Sequence, residues 1–272
     1  MTAQQKVVVI TGSSDGIGAE MARQLARTYG AKLALVLAAR NEEGLQKVAA
    51  QCQAFGALTL VVKTDVGIES SCRQLIDAAA AQFGSIDVLI NNAGKSAQAL
   101  FGEVDNLGWY QELMQINFWG SIWCTHAALP YLKKSRGSIV AVSSLAGLIG
   151  VPGRTAYCSS KFAMAGFFES LRTELRGSGV RVTLAYPGVV ATQIRYHGYN
   201  ATGDAAGSSG LKEDDAMSVE ECAALIIRGY ERGDRDVVMT FKGKLARWLK
   251  LIAPGLVEKL AMAALKKEVR PH

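Results

Sequence analysis

Short unbroken aliphatic runs, separated by longer segments of helical period, leave few folds open to this chain. The runs are KVVVIT (6–11), KLALVLAA (32–39), ALTLVV (57–62), IDVLIN (86–91), SIVAVS (138–143), RVTLAY (181–186) and DVVM (236–239). Segments 16–29, 42–55, 68–83, 108–132, 155–176 and 218–231 between them repeat apolar residues every three to four positions, the pattern of a helix with one buried face. Strands alternating with helices build βαβ units, and strands without polar alternation are those covered on both faces. The expectation is a doubly wound α/β fold, a parallel sheet between two helical layers, in one domain over 1–272. The polar stretch Gln193–Met217 contains GYNATGDAAGSSG and is too long for an ordinary connection, so a substrate loop is expected there.

After the first strand comes Thr11-Gly12-Ser13-Ser14-Asp15-Gly16-Ile17-Gly18, with a helix beginning near Ala19. Glycines allow a tight turn and a close approach, and the free N–H groups and dipole of a helix N-terminus favour a pyrophosphate. The second strand ends in Ala39-Arg40-Asn41, with no acid to bind a ribose 2′-hydroxyl. The Arg40 guanidinium suits a 2′-phosphate, which favours NADP(H) over NAD(H). Asp15 counts against this if its carboxylate points inward.

Tyr157 and Lys161 lie four apart in a helical segment and so share a face. A phenol handles protons poorly at neutral pH unless a nearby cation stabilises the phenolate, and Lys161 is placed to do so. Cys158 adjoins Tyr157, but helix neighbours diverge by about 100° and no histidine accompanies it, so it is read as packing.

These segments together resemble the classical short-chain dehydrogenase/reductase family over nearly the whole chain, and somewhat resemble its hydroxysteroid-dehydrogenase-like reductases. Thr11–Gly18 is similar to the TGxxxGxG turn, Asp65-Val66 to the adenine-side acid, and Asn91-Asn92-Ala93-Gly94 to the NNAG motif. Asn117, Ser144, Tyr157 and Lys161 match the tetrad in order and spacing, and Pro187-Gly188 with Thr192 matches PGxxxT. The resemblance implies a seven-stranded Rossmann-like sheet in the order 3-2-1-4-5-6-7. It also implies that Tyr157 is the proton donor in reduction, that Ser144 bonds the substrate carbonyl, and that Lys161 also holds the nicotinamide ribose. Asn117 would hold a relay water. Asp65 and Asn91 would position adenine and its ribose, and Val189 and Thr192 would meet the carboxamide. Ser144 is preferred to Ser143 because the family's serine lies thirteen residues before its tyrosine.

The chain has 272 residues, 49% hydrophobic and 20% charged, enough to bury a core without cross-links. Its five cysteines, at 52, 72, 124, 158 and 222, are odd in number and form no CxxC, as suits a reducing cytoplasm. No secretory leader or membrane span is read. The histidines at 126, 197 and 272 are scattered, so no metal site is expected. The net charge of +6 is modest and densest from Lys242 onward, which gives no reason to expect nucleic acid. Over 242–268, Leu245, Trp248, Leu249 and Ile252 fall at helical spacing among Lys and Arg; after Pro254-Gly255 the pattern resumes with Leu256, Val257 and Leu260. This basic amphipathic extension is expected to pack on the domain, on a partner subunit or over the substrate mouth, with peripheral contact to anionic lipid as the sharper alternative.

The expected function is therefore NADP(H)-dependent interconversion of a carbonyl and an alcohol, with an apolar substrate and a homodimer or homotetramer assembled through the segments 108–132 and 155–176. The rivals are a 3-oxoacyl-thioester reductase of fatty-acid synthesis, a non-catalytic NADPH-binding regulator and a membrane-surface adaptor.

Overall fold

A computed structural model describes residues 5–207 and 216–268; the centre of the expected substrate loop, 208–215, lies outside the described residues. The strands are β1 (Lys6–Thr11), β2 (Leu33–Ala39), β3 (Leu58–Lys63), β4 (Val88–Asn91), β5 (Ser138–Val142), β6 (Arg181–Tyr186) and β7 (Asp236–Val238). They form one parallel sheet in the order β3-β2-β1-β4-β5-β6-β7, as the family resemblance implied.

The unbroken apolar runs follow from the two buried faces. Val7 and Val9 of β1 enter one core with Leu75 and Ile76 of α3 (Glu69–Phe83) and Phe168 of α6 (Thr155–Glu174). Val8 and Ile10 enter the other, with Met21 and Leu25 of α1 (Gly16–Tyr29), Leu45 of α2 (Glu42–Gln53) and Ile226 of α7 (Val219–Arg232). Each such side chain contributes about 1.5–3 kcal/mol when fully buried. Helix starts are set by short polar side chains: Asn41 accepts from the Gly44 N–H and Ser218 from the Glu221 N–H. Gly84 and Gly233, both left-handed, end α3 and α7.

The expected helix over 108–132 is divided. It runs as α4 (Gly108–Met114), a five-residue π-turn (Gln115–Trp119) and α5 (Gly120–Ser135). Periodicity cannot reveal this, because a π-turn adds one residue without a break in composition; such turns concentrate at functional sites.

Two helices follow β7: α8 (Phe241–Ile252), capped by Thr240, and α9 (Pro254–Glu268). They lie over the connection from β5 to α6. Gly243 sits where a Cβ would come within 2.4 Å of Leu145, Lys250 donates to the Leu148 carbonyl at 3.0 Å, and a Cβ at Gly153 would lie 3.6 Å from Leu265.

Candidate active site

The carboxyl ends of the strands open on a cleft of about 890 Å³. One half is built by the β1–α1 turn. Gly12 has a positive φ of 65°, and a Cβ there would lie 2.7 Å from the Ala93 Cα. A Cβ on Gly18 would lie 2.3 Å from the Gly12 carbonyl oxygen, so helix and strand approach each other only because both positions are glycine. No side chain caps the first turn of α1, whose first turn also carries no acid. Uncapped N–H groups at the end of a 14-residue helix, facing an open cleft, fit a pyrophosphate. Ser14, Asp15, Gly16, Ile17, Arg40, Asp65 and Val66 line this half. Arg40 and Asp15 are exposed, Asn41 is spent on capping α2, and one Asp65 oxygen accepts from the Gly67 N–H at 2.9 Å. Thr192 closes the far bank, its methyl 3.5 Å from where a Cβ on Gly16 would stand.

In the other half, Ser144 is the residue just after β5 that faces the tyrosine. The Ser144 hydroxyl stands close enough to the Tyr157 phenol to favour its ionisation. Ser143 is buried and donates to the Lys161 carbonyl at 3.2 Å. The half-buried Tyr157 has its pKa raised by burial, against which the Ser144 hydroxyl and the charges of Arg154 and Arg195 act. The Lys161 ammonium lies 5.9 Å from the centre of the Tyr157 ring and donates to the Val142 carbonyl at 3.0 Å. Burial lowers its pKa to about 8. Burial also pushes the Cys158 thiol up, and its sulfur accepts from the Val151 N–H, so it is an inert packing group.

Asn117 occupies the π-turn, fully buried. Its side-chain oxygen accepts from the Lys95 N–H at 2.7 Å, and its nitrogen donates to the Lys95 carbonyl and to Ser160 Oγ. The whole amide is committed, and it pins the segment after β4 beside Lys161; a Cβ on Gly94 would stand 3.2 Å from Asn117 Oδ1 and 3.6 Å from Lys161 Nζ. Ala93, Gly94, Pro187, Gly188 and Val189 line the cleft. Asn91 does not: its amide nitrogen turns to Thr125 of α5, its side-chain oxygen is unpartnered, and the residue is buried. The neighbouring Asn92 braces the glycine turn instead, donating to the carbonyls of Thr11 and Gly12 at 3.0 Å each. Sequence reasoning placed Thr11 in the glycine turn but missed that its hydroxyl receives the Asn92 and Ala93 N–H groups, and it missed Arg154, which lines the cleft and bonds Ser96 and Gln98. The strand's alternation says that Asn91 and Asn92 point opposite ways, but not which way each points.

Comparison with known proteins agrees with this architecture. The pattern of the short chain dehydrogenase family matches residues 6–200. The chain is 37% identical over 259 residues to 11-beta-hydroxysteroid dehydrogenase A of Sesamum indicum, covering 93% of this chain and 73% of the relative. It is 34% identical to the dehydrogenase/reductase SDR family protein 7-like of Dictyostelium discoideum, covering 97% and 84%. Among solved structures, a short chain dehydrogenase/reductase from Burkholderia phymatum in complex with NAD aligns with a TM-score of 0.81 at 25% identity, covering 94% of this chain and 96% of that one. An alcohol dehydrogenase from Thermococcus sibiricus complexed with 5-hydroxy-NADP aligns at 0.71 and 27%, covering 86% and 94%. With its strand order, its glycine turn and these relatives in agreement, the chain belongs to the short-chain dehydrogenase family, enzymes that act on CH–OH groups with a nicotinamide cofactor.

Proposed function

We propose that this enzyme is an NADP(H)-dependent reductase that converts an apolar carbonyl compound to its alcohol, and runs in reverse when the cofactor is oxidised. The observation that carries the reading is the convergence of Ser144, Tyr157 and Lys161 in the cleft that the glycine turn opens. When bound, the nicotinamide supplies the hydride. Ser144 donates to the substrate oxygen and stabilises its developing charge, while the Tyr157 phenol delivers the proton. Lys161, held by the Val142 carbonyl, keeps a positive charge beside the phenol, so that proton loss from Tyr157 is not left to a bare buried phenolate. Lys161 also serves the nicotinamide ribose. Asn117 would hold a relay water, with its side-chain amide fixed by Lys95 and Ser160. Val189 and Thr192 meet the carboxamide, Asp65 the adenine side, and Gly12 to Gly18 the pyrophosphate.

The preference for NADP(H) rests on Arg40, which lines the cleft at the end of β2 where no acid stands. An apolar substrate suits the Leu145, Ile149 and Val151 rim, which Gln193, Ile194 and His197, at the start of the expected substrate loop, border. The rival, reduction of a 3-oxoacyl thioester, draws on Arg154 and Arg195, which bring positive charge to the substrate half. A regulator without turnover would leave the Ser144–Tyr157–Lys161 geometry without purpose. Exposed Trp119 and Phe162 on the α5 and α6 side suit assembly into a homodimer or homotetramer. The five cysteines, free and buried, suit a reducing cytoplasm.

The test is NADPH oxidation by wild type and Tyr157→Phe against aldehydes, ketones, quinones, steroids and 3-oxoacyl thioesters, with NADPH binding measured for both. Turnover should fall by about 10²–10⁴ in the variant with binding retained. Undiminished turnover in Tyr157→Phe would remove the tyrosine from its role.

A further inference from the structure

Helix α8 turns its apolar stripe away from the protein. Phe241, Leu245, Trp248 and Ile252 follow one another at steps of four, three and four, and so fall within about 60° of one another around the helix. They are 80%, 53%, 66% and 82% exposed. The side that meets the protein is the one bearing Gly243, Arg247 and Lys250. Arg247 forms an ion pair with Asp236 at 2.9 Å, and Lys250 reaches the Leu148 carbonyl and lies 4.7 Å from the centre of the Phe162 ring. The apolar stripe is thus turned to solvent, while cations are spent holding the helix down. On α9, Leu256 and Leu260 are exposed too. Among the described residues, eight of the seventeen large exposed apolar side chains lie between Phe241 and Met262, a concentration that marks a contact surface and not scattered exposure.

We infer that the α8–α9 hairpin docks on an anionic lipid surface, with the Phe241–Ile252 stripe entering the interface and Lys242, Lys244 and Lys259 meeting the headgroups. The charge around the stripe selects this occupant. Those three lysines are exposed, and Glu258 is the one acid among the described side chains of the two helices. A helix with an aromatic and aliphatic face bordered by lysines lies in the plane of a membrane interface. No described helix is long and apolar enough to cross one. The hairpin covers the Leu145–Gly153 connection, whose Leu145, Ile149 and Val151 line the cleft, so docking brings the rim of the cleft to the bilayer surface.

The inference requires no assumption about the reaction and is tested without turnover. The intact protein is sedimented with phosphatidylcholine vesicles, with and without phosphatidylglycerol, beside Trp248→Asp/Ile252→Asp and Lys242→Glu/Lys244→Glu, and the melting temperature and light-scattering mass of each are recorded. All four positions are exposed, so the folded state should be unchanged. Wild type should sediment with the anionic vesicles and be released by salt. The apolar variant should lose about tenfold or more in partitioning, and the charge variant should lose its preference for phosphatidylglycerol. Wild type that stays in the supernatant with both vesicle types, or an apolar variant that sediments equally well, overturns the proposal. So does an apolar variant that merely dissociates a dimer, since a second copy would then be what covers the stripe.

Discussion

The β1–α1 turn and the α8–α9 hairpin use glycine and charge in opposite ways. At the turn, Gly12 and Gly18 stand where no Cβ fits, Asn92 satisfies two carbonyls, and the Ala19, Met21 and Ala22 side chains that follow face a core. In the hairpin, nothing lies within 4 Å of a Cβ at Gly255, Arg247 and Lys250 hold α8 to the domain, and Phe241, Leu245, Trp248 and Ile252 face outward. The turn is shaped for a ligand whose position must be fixed, whereas the hairpin is shaped for a surface that need only be met. Substitutions in the first region should therefore change stability and cofactor binding steeply, and those in the second should change them little.

Lys161→Met gives the largest effect on stability. The buried ammonium has a folded pKa of about 8, below the roughly 10.4 of an unfolded lysine, so keeping it charged opposes folding below pH 8. The opposition fades as pH climbs from 8 towards 10.4. The variant should lose turnover yet be more stable at pH 7 by up to about 3 kcal/mol, a gain that shrinks towards pH 10 in thermal melts. Gly18→Ala should cost about 1–3 kcal/mol and weaken NADPH binding, read by melting and calorimetric titration, because the added methyl meets the backbone of Gly12. Gly255→Ala, its counterpart in the hairpin, should change neither. Arg40→Ala should weaken NADPH binding about tenfold and leave NADH binding unchanged, the loss of one charge-assisted contact at an exposed site. Equal losses for both cofactors would assign Arg40 no part in choosing between them. The smallest effect is that of Arg247→Ala, which removes a partly exposed pair with Asp236 and should cost about 0.2–1 kcal/mol in a denaturant titration. A markedly larger loss would mean that the hairpin is as integral to the fold as the turn, and the contrast would fail.

The sheet was legible because unbroken runs such as Val7–Ile10 have one physical meaning, burial on both faces, and the order of the runs then follows from the family resemblance. The choice of Ser144 over Ser143 came from the spacing that the family resemblance implies, and in the structure Ser143 turns to the Lys161 carbonyl. The facing of adjacent residues was not: Asn91 and Asn92 are chemically identical, and only the packing of Thr125 against one and of the glycine turn against the other separates them. The π-turn at Asn117 and the outward stripe of α8 stayed hidden for a related reason. A helical pattern specifies which residues share a side, but the partner that side meets is set by the rest of the chain.

The place of β1 in the sheet bears on how the chain can be made. β1 leaves the ribosome before the other six described strands and pairs with β2 after about thirty residues, but its other edge waits for β4, roughly eighty residues downstream. Until then the VVVI segment presents one open hydrogen-bonding edge, the geometry that recruits strands from other chains. Synthesis that stalls before Val88 therefore leaves an adhesive nascent product, and the arrival of Val88–Ile90 removes that hazard by closing the edge.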